Sequence, residues 1–251
     1  PPRSTLFPYT TLFRSLTTLA EWLRGAPTPY ATAAVGKWHL STFAEGATTS
    51  ILDQGFDHYL GAPGNLYAEQ TLDGRRADYT TWEQWDGEAF TRRSGYITVQ
   101  EADDALSLMA RLPEPWFLYV GFHATHEPHV LPPRDVQPGG PTSDLPGDRG
   151  AFAAMLEVLD EQIGRLLDAI PPDTHVLLLA DNGDDKHTRP PERAESDVKG
   201  TVFEGGVRIP LLLRSPLVRA PGGRTDALVD LADAFPTRSE EHTSELQSPC
   251  N

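Results

Sequence analysis

The chain has 251 residues, 39 % of them hydrophobic, which fits one large α/β domain or two small ones. No stretch approaches the roughly 20 consecutive apolar residues of a membrane-spanning helix, so no membrane partner is expected. Lys and Arg number 21 against 36 Asp and Glu, and the net charge of −15 excludes a broad basic face for nucleic acid.

The two ends come first, because only native sequence carries function. Residues 1–15 can be encoded codon for codon by a common short-read sequencing adapter. Arg238–Ser248 matches the adapter for the opposite end, followed by three residues that read as translated index bases. We expect 1–15 and 238–251 to be non-native. That leaves 16–237, which is 222 residues at an unchanged −15, and removes the single cysteine, Cys250. On this reading the native N-terminus lies upstream and the sequence is silent on a signal peptide.

Leu19, Leu23 and Ala26 recur at helical spacing and predict a short helix over 17–26, stopped by Pro27 and Pro29. The small apolar run Tyr30–Val35 predicts a strand closed by Gly36. From Gly61 to Tyr96 no period survives, and Tyr67, Tyr79, Trp82 and Trp85 fall irregularly; a loop offering rings to a sugar or aryl substrate is expected there. Glu101–Leu112 predicts a helix with an acidic first turn. Trp116–Phe122 is continuously apolar, as in a central parallel strand buried on both faces. A Pro/Gly-rich loop over 128–150 precedes a strongly amphipathic helix over 152–170. Thr174–Ala180 and Ile209–Leu213 predict two more buried strands. Helix and strand alternate without a repeat, so the expected fold is a mainly parallel central α/β sheet with helices on both faces, in one domain.

In such sheets ligands gather beyond the carboxyl ends of the strands. Four polar clusters stand there: Lys37 and His39 after the first strand, His123, His126 and His129 after the second, Asp181 and Asn182 after the third, and Lys199 and Arg208 just before the last. Each also has an ordinary reading. Lys-Trp-His suits a strand end with snorkelling side chains. Three histidines suggest a transition-metal site, although Pro128 prevents a helix from aligning them. Asp-Asn-Gly is commonly a turn, but after a buried strand its two side-chain oxygens suit calcium.

The ordered set is more specific than its parts. Gly36-Lys37-Trp38-His39-Leu40, Gly55-Phe56-Asp57, the run Phe122–Pro128, Asp181-Asn182-Gly183 and the run Lys199–Pro210 resemble, in that order, the motifs of the type I sulfatases. The resemblance spans essentially all of 16–237. Ser41 stands where the family usually has Gly, and Asp184-Asp185 replaces small residues; neither change removes a reactive group.

The resemblance implies an alkaline-phosphatase-like fold and hydrolysis of sulfate esters by a formylglycine made from the Cys or Ser of a Cys/Ser-x-Pro/Ala-x-Arg motif, with one bound calcium. It implies that Lys37 and Lys199 hold the sulfate oxygens, and that His126 protonates the leaving alkoxide. It implies that His39 assists at the formylglycine, and that Asp181 and Asn182 are calcium ligands. No such nucleophile motif in a fitting position occurs between Leu16 and Thr237, and the paired aspartates that complete the family's calcium site are absent too. The expectation is therefore a partial catalytic domain over 16–237, with the nucleophile upstream and a C-terminal subdomain beyond Thr237. Such a fragment is expected to be inactive, weak in calcium binding and prone to aggregate through an unpaired sheet edge. A phosphodiesterase or phosphonate hydrolase of the same superfamily, or a non-catalytic binding protein, would carry many of the same residues. The expected partner is a sulfated small molecule or sugar, and the acidic surface disfavours polysulfated ones. Family resemblance implies a periplasmic or secreted location.

Overall fold

The computed structural model describes residues 16–40, 47–67, 76–139, 145–230 and 233–234, without the side chains of 47–49. The chain divides into two compact units, 1–215 and 216–251. In the second unit the described backbone is held by local bonds such as Asp230 N to Asp233 Oδ2, 2.8 Å.

The first element among the described residues is helix α1, Leu19–Arg24, which the sequence places over 17–26. A reciprocal cap starts it: Thr18 Oγ1 accepts from Glu21 N at 3.1 Å, and Thr18 N donates to Glu21 Oε2 at 2.8 Å. Thr18 Oγ1 also donates to the Gln54 carbonyl at 2.6 Å. Thr18→Ala should therefore lower stability by about 1 kcal/mol, with a matching drop in the urea midpoint and an unchanged denaturant slope.

Strand β1, Ala31–Gly36, is the middle strand of a three-stranded parallel sheet. On one side it pairs with β2, His58–Leu60, and on the other with β5, Trp116–Gly121, in register from Ala31 opposite Trp116 to Gly36 opposite Gly121. This corrects the sequence reading, which made the Trp116 run the central strand. The small residues of β1 let α1 and α3, Ile97–Met109, both pack against it. The bulkier β5 has a free edge among the described residues and leaves Tyr119 43 % exposed. The resemblance motif Gly55-Phe56-Asp57 serves this sheet. Asp57 Oδ2 accepts from both Thr32 N, 3.0 Å, and Thr32 Oγ1, 2.9 Å, and Phe56 stacks on Phe117. A further short helix, α2, is Ala47–Asp53.

The expected loop from Gly61 to Tyr96 holds an antiparallel hairpin, β3, Thr81–Trp85, and β4, Phe90–Ser94. The aromatic platform is overturned with it. Trp82 is 2 % and Tyr79 1 % exposed, in one core cluster with Tyr96, Ile97, Met155 and Val158, and Trp85 is partly buried against a second cluster. The hairpin escapes periodicity because β3 buries Glu83 and Gln84 beside its tryptophan. The Asp86-Gly87 dipeptide between Trp85 and Phe90 is the local signal that marks it.

Helix α3 starts a turn earlier than predicted, since Ile97 and Thr98 fill the core, and its first turn holds no acidic residue. Glu101 instead lies in the buried stripe formed with Ala102, Ala105 and Leu108. Helix α4, Gly147–Ala169, begins within the stretch expected as loop and packs on α3, with Met155 and Val158 in one core cluster with Ile97. Strand β6, Val176–Leu179, pairs antiparallel with β7, Leu211–Arg214, as a separate two-stranded sheet. Both were expected buried. Instead Leu177, Leu178, Leu211, Leu212 and Leu213 are exposed, because no described element covers them. The α/β class and the parallel sheet stand as expected, apart from this antiparallel pair. No helix among the described residues is long and apolar enough to cross a membrane.

Candidate active site

Three loops build the site, and close backbone contacts fix two of them. Gly36, at φ +88°, ends β1 where a Cβ would lie 2.2 Å from the Gly121 carbonyl; only glycine lets the two strand ends approach so closely. Lys37 N then donates to Gly121 O at 2.7 Å. Trp38 anchors the next turn, its ring edge-on to Phe56 and its Nε1 bonded to Ser50 Oγ at 3.3 Å. His39 adopts φ +56°, unfavourable for a side-chain-bearing residue, and its N–H donates to Pro63 O at 2.6 Å. Lys37 and His39 thus flank a core-anchored tryptophan instead of extending a strand.

The second knot joins distant motifs. Gly183 N donates to Gly206 O at 2.9 Å, Asp184 N to Gly205 O at 2.8 Å, and Lys199 N to Asp184 O at 2.7 Å. A Cβ on Gly183 would stand 2.0 Å from the Gly205 carbonyl. Asp-Asn-Gly, Lys199 and Glu-Gly-Gly are therefore one folded unit, completed by the short helix α5, Glu204–Val207. Asp184, a departure from the family pattern, takes Arg193 Nη1 at 2.5 Å. Arg208 is occupied elsewhere, 3.6 Å from Glu204 in an exposed pair.

Electrostatics shows which side chains converge. Burial lowers the Lys37 ammonium below the ordinary lysine range and Lys199 adds to this, while the Asp181 carboxylate opposes it. His39 is pushed down by burial, then by Lys37, His126 and Lys199. His126 is pushed down by burial, with Lys37 and Lys199 acting the same way and the Glu127 carbonyl opposing. Lys37, His39, His126, Lys199 and Asp181 consequently share one field at the carboxyl ends of the strands.

The three histidines of the 123–129 run do not converge on a metal. His126 Nδ1 donates to Glu127 O at 2.7 Å, and His129 packs edge-on to Phe152. His123 is buried, with Nδ1 2.5 Å from Glu101 Oε1 and Nε2 3.1 Å from Gly64 O. Sequence reasoning missed Glu101, Tyr79 and Gly64. A glutamate within an otherwise apolar helical stripe is the signal for the first.

Asp181 and Asn182 supply two oxygen donors, since Asn182 Nδ2 donates to Gly183 O and leaves its own oxygen free. Calcium takes six to eight oxygens, so the described residues provide a partial set. One other group of metal-ligating type, Glu127, Asp185 and His187, has its ligand atoms within 4.8 Å of one another and includes neither of these residues.

The family model described as Sulfatase matches residues 3–240. The chain belongs to the sulfatase family. It is similar to mouse arylsulfatase J, 27 % identical over 220 residues that cover 83 % of this chain and 36 % of that protein. Human N-acetylgalactosamine-6-sulfatase is 28 % identical over 232 residues, covering 83 % of this chain and 41 % of that protein. Among solved structures, Ps i-CgsB in complex with k-i-k-neocarrahexaose superposes with a TM-score of 0.72 at 25 % identity, over 89 % of this chain and 52 % of that one. This sulfatase chain thus spans about two fifths of the two curated relatives, 36 % and 41 % of their lengths.

Proposed function

We propose that the whole protein hydrolyses sulfate esters, and that residues 16–237 are the part of its catalytic domain that binds the sulfate and protonates the leaving group. The observation that carries this reading is the convergence of Lys37, His39, His126 and Lys199 in one field within a chain of net charge −15. A local cationic pocket on an acidic protein selects a small anionic group over a polyanion. Lys37 and Lys199 hold the equatorial oxygens of the sulfuryl group as negative charge develops there. His126 keeps one hydrogen on Nδ1 for the Glu127 carbonyl, so the hydrogen it transfers to the departing alkoxide is on Nε2.

An upstream formylglycine would supply the nucleophile, and a calcium held in part by Asp181 and Asn182 would offset the sulfate charge. The edge of β5, free among the described residues, supports a further strand as partner of that sheet. The carbohydrate bound to the structural neighbour supports a sulfated sugar as the substrate class here. A periplasmic or secreted location is proposed on family grounds.

The test is turnover by the gene product extended upstream of Leu16. It should hydrolyse an aryl sulfate in preference to an aryl phosphate diester; the reverse preference would assign it to phosphoryl transfer. Its kcat/KM, which reports the free enzyme, should fall as pH rises through a midpoint below the free-histidine value of about 6.5. The sign follows from the role: an acid must be protonated, and burial and the two lysines favour the neutral imidazole. A falling limb above that value would remove His126 as the acid.

A further inference from the structure

One buried titratable pair lies outside the sulfate-binding cluster. Glu101 and His123 are 4 % and 2 % exposed. Glu101 Oε2 accepts His123 N–H at 3.2 Å, Oε1 lies 2.5 Å from Nδ1, and Nε2 lies 3.1 Å from the Gly64 carbonyl. A carbonyl can only accept, so Nε2 carries a hydrogen. The Nδ1–Oε1 contact then holds a single further hydrogen, bound to the nitrogen or the oxygen. Either form leaves the pair neutral overall, which is the arrangement a dry site tolerates.

The pair reaches the catalytic side chains through backbone. The His123 carbonyl accepts His126 N–H at 2.9 Å. The Tyr79 hydroxyl lies 2.9 Å from the His123 carbonyl and 2.7 Å from that of His126, one hydrogen serving both ends of the turn. On the other side, Gly64 follows Pro63, whose carbonyl holds His39 N–H. A displacement of the His123 ring would therefore be felt at both His126 and His39.

We propose that Glu101 and His123 are positioning residues: a buried, proton-sharing pair that fixes the His123–His126 turn and so presents His126 Nε2 to the leaving group. The proposal deepens the sulfatase reading of His126 and rests on it.

The test is histidine side-chain 15N–1H correlation spectroscopy on the 251-residue chain. The unsubstituted protein should show a slowly exchanging Nε2–H for His123 and a single Nδ1–H form for His126. In Glu101→Gln the amide oxygen can accept His123 N–H while its NH2 donates to Nδ1, so both signatures should persist. Glu101→Leu, which fills the space without a partner, should lose the protected His123 hydrogen and convert His126 to a mixture of both tautomers. Should that variant fail to fold, Glu101→Asp, shorter by one methylene, should produce the same His126 change in a polar site of similar shape. A single unchanged His126 form in folded Glu101→Leu or Glu101→Asp would overturn the proposal, as would a mixture of tautomers in the unsubstituted chain. The readout needs no turnover. Its failure leaves the sulfate-ester assay of the extended protein to stand alone, and failure of that assay leaves these signatures unaffected.

Discussion

Purified as the 251-residue chain, the protein will turn over no aryl sulfate above the uncatalysed rate, and extension upstream through a Cys/Ser-x-Pro/Ala-x-Arg segment will restore turnover. On the proposed reading Lys37 and Lys199 bind the sulfate charge and His126 moves a proton, and none of the three is a nucleophile toward sulfur. In the extended protein, Lys37→Ala and Lys199→Ala should each lower kcat by about 10²–10³, the range for removing one preorganised charge-stabilising donor. Neither change should move the melting temperature appreciably, since Lys37 is half-buried and Lys199 exposed, and their backbone bonds to Gly121 and Asp184 do not need the side chain. Measurable turnover of an aryl sulfate by the 251-residue chain would sink the fragment reading. The same extension should improve solubility, because a strand beside β5 or β6 would cover Tyr119, Leu177 and Leu178.

What the sequence made legible follows from where its signals are local. Leu19 to Arg24 forms as spaced, because capping by Thr18 and Glu21 acts within one turn. The Lys37, His39, His126 and Asp181 positions were legible as residues that follow strands and Lys199 as one that precedes the last, and the five share one electrostatic field. Burial was not legible in the same way. Leu177 and Leu212 are apolar enough for a core strand, yet whether a strand is covered depends on elements elsewhere in the chain. The central position passed to Ala31–Gly36, because small side chains accept helices on both faces while Trp116 and Tyr119 do not. Glu101 misled for a related reason: an acidic residue near a helix start suits the macrodipole, and only the packing of α3 against the sheet reveals its partner in His123. The aromatic residues between Gly61 and Tyr96 lacked a period because the hairpin strand that carries Trp82 also buries polar neighbours.

Trp82→Ala should cost about 3–5 kcal/mol, the range for emptying a buried aromatic site. That is a fifth or more of the roughly 5–15 kcal/mol that holds a typical domain together. A ring acting as a substrate platform would lose affinity on truncation and little stability; this one, packed with Tyr79, Ile97, Met155 and Val158, should do the reverse. Trp85→Ala should cost less, because that ring is only partly buried. Urea denaturation of the two variants beside the parent measures both, and equal midpoints for Trp82→Ala and the parent would contradict the buried assignment. The cavity would also open in the cluster that seats Tyr79, whose hydroxyl binds the His123 and His126 carbonyls. In the extended protein Trp82→Ala should therefore lower kcat even at temperatures where it stays folded.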